Sequence, residues 1–119
     1  KRYKKLEKKI KNVASFREEP KKGEQIYDTL ILFMKNKKKR NEIVNFLKKK
    51  GFGTKNLPDA IKWHCASFWK HALPRNQIKR IKKTKNLLES SIAIPIWLRK
   101  SVTDYNKLGE QLHDIITAK

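Results

Sequence analysis

The side chains able to do chemistry are gathered between Gly51 and Leu73, in GFGTKNLPDAIKWHCASFWKHAL. That stretch holds two of the three histidines (His64, His71), two of the three tryptophans (Trp63, Trp69) and the only cysteine, Cys65. It is punctuated by Gly51, Gly53 and Pro58, residue types that set turns. If the segment is helical, His64 and His71 lie two turns apart on about the same face. Imidazoles so placed could donate hydrogen bonds to a hydroxyl or carboxylate, and the indoles could offer flat apolar faces to a ring. The plainer reading packs the tryptophans into a core and leaves the histidines satisfied or solvated.

Other chemistries have weaker support. Cys65 neighbours His64, but adjacent side chains on a helix or strand point apart, so they do not form a nucleophile–base pair. No oxyanion-hole signature accompanies the thiol, and Cys65 is expected as a small buried residue. One cysteine and three histidines (His64, His71, His113) without standard ligand spacing give no metal site. Asp59 and Asp104 read as a turn residue and a helix-start residue rather than as an acid–base pair.

The elements that must position these groups follow from periodicity. Tyr3, Leu6, Ile10 and Val13 form a helical stripe, which needs a partner surface to be stable. After a break at Pro20–Gly23, Ile26 to Met34 is short and rich in β-formers and reads as a buried strand, either covered on both faces or central in its sheet. Lys37 to Lys50 reads as a helix, with Asn36 as N-cap and Gly51 as the left-handed residue after its end. The lysine runs in and around this helix read as solvated surface. Asn76 to Leu88 predicts a third helix, and Ser90 to Ile96 a short strand that ends at Pro95 or lies at an edge. Trp97 is expected against the C-terminal helix, with the same cleft as a second destination. That helix carries the stripe Val102, Tyr105, Leu108, Leu112, Ile115 and Ile116, with Ser101 or Thr103 as its cap. Gly109 within it costs roughly 1 kcal/mol of helix propensity. The order predicts an α+β fold: one two-layer small domain over residues 1–119, with helices packed on a small, mostly antiparallel sheet.

The formal net charge is +20, from 31 basic and 11 acidic residues, so polyanions are attracted: nucleic acid, anionic membrane or phosphorylated ligands. Of the basic residues 25 are Lys and six are Arg, whereas base readout and bidentate phosphate recognition favour Arg. A single cysteine excludes an internal disulfide and fits a reducing, cytoplasmic setting. No apolar run approaches the roughly 20 residues of a membrane span. The chain begins at Lys1 and has its sole methionine at Met34, so it is expected to be one piece of a longer protein.

A wider pattern joins the pieces. RNEIVNFLKKKGFGT (Arg40 to Thr54) is followed by the His- and Trp-bearing segment, then SIAIPI (Ser91 to Ile96), then Thr103-Asp104 opening a last helix. Each piece alone is common, but their order and spacing resemble the C-terminal small domain of pyridoxal-phosphate-dependent sugar aminotransferases of the DegT/StrS type. The likeness covers nearly the whole chain. The run KNLPDAIKWH at Lys55 to His64 is similar to the subgroup that makes 8-amino-3,8-dideoxy-octulosonate.

The resemblance implies a substrate-side small domain in an enzyme that converts a keto sugar to an amino sugar. It implies a large domain of the same enzyme, absent here, that holds pyridoxal phosphate on a Schiff-base lysine, and a homodimer when full length. This chain alone would not be catalytic. His64 matches the family's cleft-facing histidine, with Trp63, Trp69 and His71 as further substrate contacts. Where the family often has His-Tyr after its turn, this chain has Asn56-Leu57; Asn56 stands as a substrate-side candidate there, and the tyrosine's contact is not carried over. Two other classes compete. One is a free-standing basic nucleic-acid-binding module that stacks bases on its aromatic rings. The other is a helical interaction protein with Trp63 and Trp69 in a partner interface.

Overall fold

In the computed structural model, which describes residues 1–55 and 60–119, the first stripe becomes helix α1 (Arg2–Ile10), burying Tyr3, Leu6 and Ile10. The surface it needs comes from the far end of the chain. Helix α6 (Val102–Thr117) buries Tyr105, Leu108, Gly109 and Leu112, and the α1–α6 contact is the most extensive between any two elements. Gly109 is what permits it: a Cβ built there would lie 2.6 Å from Lys9 Cβ. Close approach of the two helices thus offsets the propensity lost at this position.

Of the two caps the sequence allows for helix α6, Ser101 and Thr103, the structure takes Ser101. Ser101 Oγ accepts from Asp104 N at 3.0 Å, and the Asp104 carboxylate accepts from Ser101 N at 2.7 Å, which closes a capping box. The Ser101 backbone hydrogen bond, more than any other cause, holds the Asp104 carboxyl below its ordinary pKa.

Strands β1 (Ser15–Phe16), β2 (Thr29–Phe33) and β3 (Ser91–Pro95) form an antiparallel sheet in the order β1-β2-β3. Leu30 pairs with Ile94 and Leu32 with Ile92, and all four are fully buried. β2 is central, the second of its two expected placements, with one face buried and the other half-buried, and it is shorter than Ile26–Met34. Tyr27 has φ +61°, a left-handed backbone that breaks the extended chain, and Ile26 is exposed. The Tyr27 ring packs edge-on to Tyr3 at 5.1 Å. β3 is an edge strand ending at Pro95, yet all its residues are buried. Its open side is covered by the chain after α2, where Lys55 N donates to Ala93 O at 2.8 Å.

Helix α2 (Lys37–Lys49) is capped by Asn36, whose Oδ1 accepts from Lys39 N at 2.7 Å. Gly51, with φ +74°, turns the chain so that Phe52 N and Gly53 N both reach Leu47 O. The solvated reading of the first-turn cations is corrected at two of them. Arg40 is buried, with Nε on Ser91 O at 3.2 Å. Lys39 Nζ donates to Ile115 O and Ala118 O, supplying α6 from outside with the cation that its own last turn lacks.

Between Ala60 and Ser90 the chain makes helix α3 (Ile61–His64), a 3-10 turn at Ala66–Phe68, and helices α4 (Arg75–Arg80) and α5 (Lys82–Ser90). The single helix expected over Asn76–Leu88 is two, parted at Ile81. Lys79, Arg80, Lys82 and Lys83 crowd like charges around that point, and Ile78 and Ile81 are only half-buried, so little packing holds a continuous rod together. The architecture is α+β, with helices on a small antiparallel sheet. Among the described residues no helix is long and apolar enough to cross a membrane.

Candidate functional site

The candidate side chains sit on a weakly embedded part of the chain. None of α3, α4 or α5 has a buried residue. Helix α3 lasts one turn and ends at His64, because Cys65 is extended (φ −100°, ψ 115°). The picture of His64 and His71 two turns apart on one helix is therefore corrected: an extended residue, a 3-10 turn and a further turn separate them.

Trp63 is 81% exposed, Trp69 38% exposed, and His64 and His71 are exposed. Neither tryptophan belongs to the core cluster, so the plain reading of both as core residues does not hold. The two are nevertheless joined: Trp69 Nε1 donates to Trp63 O at 3.2 Å. That bond spans the 3-10 turn and orients the Trp69 ring as an apolar face whose own donor is occupied. Beneath it Cys65 is buried, its Sγ 2.9 Å from Ser67 Oγ, the small interior residue expected. Asn56 and Asp59 lie outside the described residues.

Beyond the histidine turn, Lys70, Leu73, Arg75, Ile78 and Lys79 line a hollow of about 440 Å³. Three of its five lining residues are cationic. In sequence these cations are hidden in a chain-wide excess of base; their common signal is KHALPRNQIK, a basic residue at intervals around one proline turn.

Trp97 takes neither of its two expected places alone. Its backbone N–H donates to Tyr105 Oη on α6 at 2.7 Å, while its indole Nε1 donates to Phe52 O at 2.8 Å. The ring is thus fixed to the turn after α2.

Among the described residues the side chains do not fit pyridoxal phosphate. A Schiff-base lysine is a desolvated amine, and each of the 25 lysines here is at least partly exposed. Of the described aspartates, Asp28 is paired with Lys55 and Asp104 closes a helix cap, while Asp114 is largely exposed beside His113.

No protein-family model matches this sequence, and neither a curated protein nor a solved structure matches it.

Proposed function

We propose that this chain is the substrate-side small domain of a pyridoxal-phosphate-dependent aminotransferase that converts a keto sugar to an amino sugar. One observation carries the reading: a closed core sends out a segment whose large side chains, Trp63, His64, Trp69 and His71, stand in solvent. Indoles and imidazoles are recognition groups when exposed together, since an indole face covers the C–H surface of a sugar and an imidazole hydrogen-bonds its hydroxyls. In this reading Trp69 is the oriented apolar face, and His64 and His71 bond to substrate oxygens. Lys70, Arg75 and Lys79 around their hollow suit an anionic substituent of that sugar, such as a carboxylate.

Pyridoxal phosphate supplies the electron sink for transamination when bound. In this proposal it is held by the large domain of the same enzyme, in a homodimer, and this chain binds and orients substrate without catalysing alone. The complete polypeptide then carries the absorbance band of bound pyridoxal. His64→Ala raises KM for the keto sugar about tenfold, as loss of a hydrogen bond to a polar substrate does, and leaves the band in place. A complete polypeptide without the band would refute the reading.

A second reading, a basic nucleic-acid-binding module, rests on the net charge of +20 and on exposed Trp63 as a stacking platform. It requires affinity that falls steeply with salt and a tenfold or larger loss in Trp63→Ala. Weak, salt-abolished retention that Trp63→Ala does not change would reject it.

A further inference from the structure

Away from that segment, residues 96–101 between β3 and α6 hold an exposed leucine on a fixed backbone. Leu98 is 85% exposed, yet its neighbours are tied on every side. Arg2 Nε donates to Lys100 O at 2.6 Å, and a terminal nitrogen of Arg2 donates to Leu98 O at 3.3 Å. Trp97 N donates to Tyr105 Oη, which donates on to Pro95 O at 2.8 Å. Trp97 Nε1 is held by Phe52 O, and the Ser101–Asp104 capping box closes the loop at its end. Little backbone freedom is left to lose when Leu98 enters a contact.

The surroundings are cationic. The Arg99 guanidinium lies 5.0 Å from the Trp97 ring centroid, and Lys100 Nζ lies 4.6 Å from that of Phe52. Lys100 Nζ also reaches Lys50 O at 3.5 Å, and Arg2 holds the loop from α1. The nearby carboxylate, Asp104, is engaged in its helix cap.

We propose that this loop anchors the protein on an anionic lipid surface. Leu98 and the exposed edge of Trp97 enter the boundary between headgroups and acyl chains, with Arg99 and Lys100 beside them for the headgroups. Charge and size select this occupant. Basic residues beside an anionic leaflet are each attracted to it, and tryptophan favours that depth. A standard protein interface covers about 800 Å² per partner, far more than one leucine and the edge of an indole, whereas interfacial binding combines a smaller apolar contact with electrostatic attraction to anionic lipids.

Cosedimentation with large vesicles at physiological salt tests this, using phosphatidylcholine alone and phosphatidylcholine mixed with phosphatidylserine. The unaltered chain partitions onto the mixed vesicles and not onto the neutral ones. Leu98→Asp lowers that partitioning about tenfold, and Leu98→Ala lowers it by less. Ile26→Asp makes the same charge change at another exposed apolar residue (86%) and stays within about twofold of the unaltered chain. The substituted side chains stand in solvent, so thermal unfolding of the three variants matches the parent. The proposal is overturned if the chain ignores mixed vesicles, if Leu98→Asp binds them as the parent does, or if Ile26→Asp falls as far. An equal tenfold loss of poly(U) RNA binding in Leu98→Asp would also overturn it, by assigning the loop to polyanions in general.

Discussion

Where α1, α2, α6 and the sheet come together, each apolar stripe meets another stripe; between Ala60 and Ser90 the stripes meet mostly water. Leu6, Ile10, Leu30, Leu32, Ile43, Leu47, Ile92, Ile94 and Leu112 are 0% exposed in the first region. In the second, Cys65 and Ser67 are the buried residues, while Trp63 and Leu87 are exposed. Both regions are helical and lysine-rich, so composition and helix content do not separate them. The difference lies in covering. The first region closes on itself through contacts between the two ends of the chain. In the second, among the described residues, large side chains such as Trp63 and Leu87 are left mostly uncovered.

The comparison is most easily broken in the core. Leu108→Ala, at 1% exposure on α6, should cost about 2–5 kcal/mol in chemical denaturation. A cost below that range would mean that the α1–α6 contact is not the principal support of the fold. Tyr105→Phe comes next. It leaves Pro95 O without its donor and Trp97 N without its acceptor, for a loss of about 1–3 kcal/mol.

Cys65→Ala sharpens the contrast, because its cost of about 1 kcal/mol should be local. Amide exchange should quicken from Trp63 to Leu73 and stay unchanged in α1 and α6; an equal rise in both would show that the two regions open as one unit. Acid should act on the core side. Lys9 bonds Glu110 at 2.7 Å across the α1–α6 contact, and this hydrogen bond is the main cause holding the Glu110 carboxyl below its ordinary pKa. A depressed carboxyl stabilises the fold above its ordinary value and loses that contribution as pH falls through the folded one. Glu110→Gln should therefore flatten a small acid-side decline in melting temperature. The smallest effect is expected at Trp63→Ala, within about 0.5 kcal/mol of the parent stability, because this ring stands in water. A large loss there would place Trp63 in a core and end the contrast.

Local chemistry was legible in the sequence wherever one turn of chain decides it. Asn36 caps α2, Gly51 takes the left-handed turn after it, Ser101 and Asp104 open α6, and Pro95 ends β3; each is a bond or dihedral set within a few residues. The stripes of α1 and α6 were legible for the same reason. Less of the candidate site could be read. The residue types around Trp63 and His64 mark a segment rich in recognition groups, but whether those rings pack or face water depends on what else reaches them. Periodicity over two or three residues also cannot tell a single turn of helix from a longer one, which is why His64 and His71 were expected on a common face.

Residue identity and spacing therefore determined α1, α2, β3 and α6, the caps of α2 and α6, and the α+β class. The tertiary structure decided which stripe covers which, because those contacts join positions that no local rule connects. Lys9 and Glu110 lie 101 positions apart, and Arg2 reaches Lys100 across 98. The need for glycine at position 109 is visible only once Lys9 lies against it. The exposure of Trp63 and Leu98 is decided in the same way: an apolar side chain stays in solvent when the folded chain brings no surface over it, and only the folded chain shows where its surfaces run out.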